Sequence, residues 1–276
     1  MDVTKNISIL SIFGAIVFFV AWSTSQKMDL NLENGSVLTG YTLIVVMLLV
    51  AFFNVRKKLS MIPLGKASVW LVFHVVGGLL CVALFWLHIK SIWPQGLYEG
   101  FLAGTFYLVS ISGILGYFIQ RMNSRKLTDT GIEVIYERIP DELREIQEKV
   151  EEYILECTEK TGSDILANHY LDTMAWYFVK PRFYWSTLLG NLTPMGVGNV
   201  RVWLRSKGAS VKRYLSTEEL EYFNQVEDLA ELKILVDTHY VYQDLNKKWL
   251  LIHVPLSVGL VIMALWHLLL VEVYGI

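Results

Sequence analysis

Along the first 120 positions apolar residues come in runs rather than in alternation. Stretches at roughly 7 to 23, 38 to 55, 68 to 89 and 98 to 120, with another at 249 to 272, approach the length that crosses about 30 Å of hydrocarbon. Five membrane-spanning helices are predicted, with the two termini on opposite sides. The first stretch, behind Lys5, resembles a signal peptide, but no small-x-small cleavage site follows it cleanly and it reads as a retained span.

Between the fourth and fifth runs the pattern changes. Residues 121–248 hold 21 of the 26 acidic and 17 of the 24 basic residues, which predicts an inserted polar domain rather than a loop. The chain thus divides into 1–120 (four spans), 121–248 (a mainly helical insertion) and 249–276 (the fifth span). After Asp141, the residues Leu143, Ile146, Val150 and Ile154 recur at helical spacing and predict an amphipathic helix of about four turns that needs a partner surface. Gly162, Pro181, Gly190, Pro194, Gly196 and Gly198 interrupt the middle, where the aromatic run from Tyr170 to Trp185 predicts packed helix. Ser216 with Glu219 forms a capping box, and neither Pro nor Gly breaks the chain from there to Pro255. That helix is expected to continue into the fifth span.

Composition agrees with residence in lipid: 54% of the 276 residues are hydrophobic and 18% charged, too apolar for an ordinary soluble domain. A net charge of -2 gives no electrostatic reason to expect a nucleic-acid partner. Arg56, Lys57, Lys58 and Lys66 lie between the second and third runs, and Arg121, Arg125, Lys126, Lys247 and Lys248 flank the polar segment. Basic residues mark the cytoplasmic side, so the N-terminus and residues 121–248 are expected inside and the C-terminus outside, in a multi-pass protein of the cytoplasmic membrane. Cys81 lies in an apolar run and Cys157 in a charged helix, which argues against a disulfide between them. No Cys-x-x-Cys-His and no clustered cysteines occur, excluding c-type haem and an iron–sulfur centre in this chain.

Four histidines fall within predicted spans. His74 and His88 are 14 residues apart on the third, and His253 and His267 are 14 apart on the fifth. That spacing returns to within about 40° of one helix face and separates the rings by roughly 21 Å. Under the charge assignment both spans run from the cytoplasm outward, so His74 pairs with His253 near the inner boundary and His88 with His267 near the outer one. Imidazole is a good iron ligand, and two imidazoles fill both axial positions of a haem, favouring electron transfer over oxygen chemistry. Each pair is therefore expected to ligate one non-covalent haem b. Interhelical hydrogen bonding is the plainer role for a single histidine in a span; paired positions of equal spacing weigh against it.

At these four histidines the chain resembles the membrane dihaem cytochromes b, whose haems lie in a four-helix bundle with two ligands from each of two parallel helices. The segment WLLIHVPLSVGLVIMALWHLLL is similar to the terminal span of bacterial cytochrome b-like proteins. The resemblance covers about half the chain and implies that spans two to five form a dihaem bundle. It implies a subunit of a quinone-linked respiratory complex, with a quinone and with iron–sulfur, flavin or multihaem c-type subunits as partners. The first span, the large insertion and the lack of a Pro-Glu-Trp-Tyr motif set the chain apart from that pattern.

Weaker candidates remain. Gly77, Gly78, Gly100, Gly104, Gly113 and Gly116 offer room for a macrocycle edge or for close helix packing. Arg56, Lys57, Lys58, Lys66, Lys247, Lys248 and Lys90 are candidate partners of haem propionates. Trp86, Trp93, Tyr98 and Tyr274, with Glu99, would bound a quinol pocket or form an aromatic belt. His169 and His239 read as packed or surface histidines, and Pro255 is expected to loosen the start of the fifth span. The competing class is a cofactor-free transporter or assembly factor whose histidines are structural or carry protons.

Overall fold

The computed structural model describes residues 3–58, 66–189 and 197–275, with the side chains of 3–5, 54–58 and 197–199 left undescribed. The described residues are all-helical, 87% helix without strands. The elements are α1 (Val3–Leu30), α2 (Gly35–Lys58), α3 (Ala67–Ile89), α4 (Leu97–Thr128), α5 (Ile139–Thr161), α6 (Ile165–His169), α7 (Ala175–Phe178), α8 (Tyr184–Leu189), α9 (Val197–Val211) and α10 (Thr217–Tyr274). Five of them, α1 to α4 and α10, are long and apolar enough to cross a membrane. The expected continuation into the fifth run is present, since α10 is one helix of 58 residues with Pro255 inside it.

Two compact units divide the chain: residues 1–118 with 249–276, and residues 119–248. In the first, α1 packs against α2 and α3. Leu43 and Met47 of α2, Leu84 and Phe85 of α3, Phe106 of α4 and Leu260 of α10 meet in its core, where Phe85 and Phe106 stack with centroids 4.1 Å apart. Large apolar side chains such as Ile12, Phe13, Phe118 and Ile262 face outward, the distribution expected when the surrounding solvent is lipid.

The second unit has an aqueous pattern, apolar inside and charged outside. From α5, Leu143, Ile146, Val150 and Ile154 are buried, joined by Ile139 and Cys157, so the amphipathic face is longer than the four predicted positions. Its partner surface comes from the same unit: Tyr177, Phe178, Phe223 and Val226 share the core. The predicted capping box is present, with Ser216 N–H donating to Glu219 Oε2 (2.7 Å) and Glu219 N–H to Ser216 Oγ (3.3 Å). The aromatic run is not one helix. A π turn at Tyr170–Met174 precedes α7, and the chain leaves helical geometry around Pro181 and Phe183, the latter at φ 60°. Gly190, Pro194 and Gly196, expected breaks, lie outside the described residues.

Lys233 is fully buried and pairs with Asp237 at 2.6 Å, with its Nζ 4.1 Å from the Tyr177 ring centroid. Burial lowers the Lys233 pKa and pushes the Asp237 carboxyl from its ordinary 3.8 up to about 6. The folded state therefore holds the Asp237 proton more tightly than the unfolded chain does, and this group's stabilisation declines as pH rises from about 4 to about 6. Asp237→Ala is expected to cost about 3–5 kcal/mol by leaving Lys233 buried and unpaired. Asp237→Asn should remove this group's share of the pH slope. Denaturant unfolding of the purified protein across pH 4 to 7 measures both.

Candidate functional site

In the first unit the antiparallel neighbours α2 and α3 fix the rings of His74 and His88. His74 Nδ1 lies 3.1 Å from the Val50 carbonyl oxygen and His88 Nδ1 lies 2.9 Å from that of Ser36. A carbonyl only accepts, so in both rings the proton sits on Nδ1 and the lone pair on Nε2. Thr39 Oγ1 adds a 3.4 Å contact to His88 Nδ1. Gly40 completes that seat: a Cβ there would press on the His88 ring.

Helix α4 does the same for α10. Trp249 Nε1–H donates to the Ser112 carbonyl oxygen at 2.9 Å, and Ser112 Oγ lies 3.2 Å from His253 Nδ1. The Trp249 indole packs where Gly116 has no side chain, and it stacks on His253 with centroids 5.0 Å apart. Near the other end, Tyr98 donates to the Met263 carbonyl oxygen at 2.7 Å and stacks on His267 at 6.2 Å.

These supports bring the predicted partners together. His74 and His253 are neighbours, with ring centroids 6.4 Å apart and planes at 80°. His88 and His267 line one mostly apolar cavity of ≈ 240 Å³, walled by Gly40, Met47, Phe106 and Leu260. First meets first and second shares a cavity with second, so α3 and the end of α10 run in the same direction.

Bis-imidazole ligation can be tested against this geometry. Two metal–nitrogen bonds of about 2 Å, plus roughly 1 Å from each nitrogen to its ring centre, put the two centroids about 6 Å apart. The His74/His253 pair meets that spacing, and the Nδ1–H···O=C contact of His74 is of the kind by which metal-ligating imidazoles fix their lone pair. Among the described residues no group of three or more His, Cys, Asp or Glu could hold a metal ion. Any iron here would thus depend on the two axial imidazoles and a macrocycle.

The weaker candidates separate. Glu99 lines the cavity with His88 and His267, and Tyr98 reaches His267; Trp86 and Trp93 instead engage Tyr107. Gly100 and Gly104 sit beneath Trp93 and Gly113 beside His253, so most of the α4 glycines seat aromatic rings. Lys90 pairs with Asp29 at 2.6 Å, Lys247 with Glu137 at 2.5 Å and Lys248 with Asp244 at 2.7 Å; Lys66 is exposed. The side chains of Arg56, Lys57 and Lys58 lie outside the described residues. His239 is buried in the second unit, 2.8 Å from Thr130 Oγ1 through Nε2, and burial lowers its pKa; His169 lies beside Thr173. Both are packed histidines away from any metal-like cluster.

Comparison with known protein families, with curated proteins and with solved structures returns no match.

The Gly116–Trp249 seat gives a direct test of the α4–α10 seam. Gly116→Ala should displace the indole and destabilise the fold by about 1–3 kcal/mol, read as a lower melting temperature in detergent.

Proposed function

We propose that the chain is a membrane electron conduit in which His74 with His253, and His88 with His267, are axial ligands of two b-type haems. The observation that carries this reading is the 6.4 Å separation of the His74 and His253 rings on two helices of matched direction. The shared cavity of His88 and His267 supports the second pair. Bound haem would supply reversible one-electron exchange, with His74 and His253 holding one iron and His88 and His267 the other.

The chain's own residues hold the ligands and exclude water. Val50 and Ser36 carbonyls direct the α3 imidazoles, Ser112 and Trp249 direct His253, and Tyr98 flanks His267. Leu84, Phe85, Phe106 and Leu260 form the dry interior between the two levels. With no motif for flavin, nicotinamide or iron–sulfur in the sequence, exchange at the two faces falls to a quinone and to other redox subunits. This is the arrangement of a membrane cytochrome b subunit, the family the histidine spacing resembles. Basic flanks favour a cytoplasmic-membrane protein with residues 121–248 and the N-terminus inside.

A cofactor-free membrane protein is the competing reading, favoured by the hydrogen bonds that the Nδ1 atoms already make within the fold. A pyridine haemochrome assay of the purified protein is expected to return two haems b per chain, with an alpha band in the b-type region on reduction. Absence of that band would end the haem reading. His74→Ala and His253→Ala should each leave one haem, and His88→Ala or His267→Ala the other, told apart by midpoint potential. Loss of both haems in every variant, with the fold intact by circular dichroism, would break the pairing.

A further inference from the structure

Helices α1, α2 and α3 touch in all three pairings, yet they do not close on one another along their whole length. A crevice of ≈ 440 Å³ is left between Phe13 of α1, Val45 and Leu49 of α2, and Phe73 and Leu80 of α3. Along α2 it runs from Tyr41 to Leu49, about 12 Å, and it stays at least six residues, about 9 Å, from either end of each helix. Its depth is therefore that of acyl chains and not that of headgroups. Phe13, Val45 and Leu49 are each more than half exposed, so the crevice opens to the medium around the helices.

The chemistry of the walls narrows what can fill it. Among the described residues, those lining the crevice are apolar except Tyr41 and Thr42, and both hydroxyls already donate within the fold. Tyr41 donates to Glu272, and Thr42 donates to the Leu38 carbonyl oxygen at 2.9 Å. Water needs about two to four polar partners, which those two hydroxyls do not supply. A void is equally unfavourable, because its walls forfeit their dispersion contacts. A further membrane-spanning helix is about 10–12 Å across, too wide for a space among three helices that touch pairwise. An acyl chain is far slimmer and runs roughly along the helices, as the crevice does.

We propose that this crevice holds one acyl chain of a membrane phospholipid as a fixed part of the first unit. The lipid is selected by its hydrocarbon and not by its headgroup, since no charged side chain among the described residues lines the crevice. Gly14 makes the room: a Cβ there would meet nothing closer than Val76 Cγ1 at 3.8 Å and Leu80 Cδ2 at 3.9 Å, both ordinary contacts, so the space above it is open. Tyr41 lines this crevice and also the cavity of His88 and His267. The bound chain therefore backs α2, the helix whose Val50 and Ser36 carbonyls anchor His74 and His88. The inference does not depend on haem.

Photolabelling of the full chain in phosphatidylcholine vesicles provides the test, with a small fraction of the lipid carrying a diazirine in its acyl chain. Label is expected several-fold denser on Phe13, Val45 and Leu49 than on Leu108 and Ile111 of α4, which are similarly exposed. Leu108 and Ile111 also lie about as far from the start of their helix as Val45 and Leu49 do from theirs, so depth is matched. The pattern should persist when phosphatidylglycerol replaces part of the phosphatidylcholine. Gly14→Leu fills the crevice from α1 and should bring label at Val45 and Leu49 down to the α4 level, with circular dichroism unchanged. Val45→Phe fills it from α2 and should do the same at Phe13 and Leu49, so the outcome does not hang on the folding of one variant. Even labelling of all these positions, a preference that survives both substitutions, or a co-purified isoprenoid lipid or polypeptide that keeps label out of the crevice would each overturn the proposal.

Discussion

An imidazole placed in hydrocarbon must have its polar nitrogens engaged, because an unsatisfied donor or acceptor there costs several kcal/mol. Much of the first unit follows from meeting that demand at His74, His88 and His253. Helix α2 carries no histidine, yet its Val50 and Ser36 carbonyls hold the Nδ1 atoms of His74 and His88. Each carbonyl has a second lone pair beyond the one its helix uses, so α2 orients the rings without breaking its own ladder. Gly40 is the steric counterpart, keeping the α2 backbone close enough for the His88 ring to reach it. On the other side α4 offers Ser112 and the bare backbone of Gly116, which admits Trp249 and through it supports His253. Helix α1 supplies none of these contacts and packs outside α2 and α3.

The second unit obeys the opposite solvent. Its core is built by α5, the aromatic residues after the π turn and the N-terminal part of α10, and its cost is a buried cation. Lys233 is tolerated because Asp237 and the Tyr177 ring face it from short range. Placing both charges on one helix, four residues apart, sets the ion-pair geometry by the helix itself.

What could be read from the chain, and what could not, divides along physical lines. Runs of apolar residues report spans because lipid imposes a length, and the spacing of Leu143, Ile146, Val150 and Ile154 reports a face because a helix imposes a period. Ser216 and Glu219 are legible because their side chains make the cap. The matched spacing of the four histidines is legible because helix geometry turns sequence distance into depth. Backbone carbonyls leave no mark in a sequence, so the Val50 and Ser36 anchors were invisible, although Ser112 within an apolar span was an available signal. The break around Phe183 was legible in Pro181, whereas the π turn at Tyr170–Met174 has no sequence mark; the rings that follow it, Tyr177 and Phe178, are buried in the core, and Tyr177 meets Trp203 at 5.7 Å. Lys233 was illegible for a related reason: a lysine reads as solvated until its partners are known.

The two histidine levels are not equivalent. At the His74/His253 level both rings are held through Nδ1, one by a carbonyl and one by a hydroxyl, and Trp249 stacks on His253. At the His88/His267 level His88 has its carbonyl and Thr39, whereas His267 is positioned by stacking on Tyr98 beside a cavity that Glu99 also lines. Stacking fixes the plane of a ring less tightly about its own normal than a hydrogen bond does, because the attraction depends weakly on rotation in that plane. Pro255 lies inside α10 two residues after His253; its missing amide removes the helix bond to the Leu251 carbonyl, while Ser257 Oγ donates to the His253 carbonyl oxygen at 2.7 Å. Among the described contacts His267 is thus held by stacking where the other three rings have a hydrogen bond at Nδ1, and it shares its cavity with the Glu99 carboxylate.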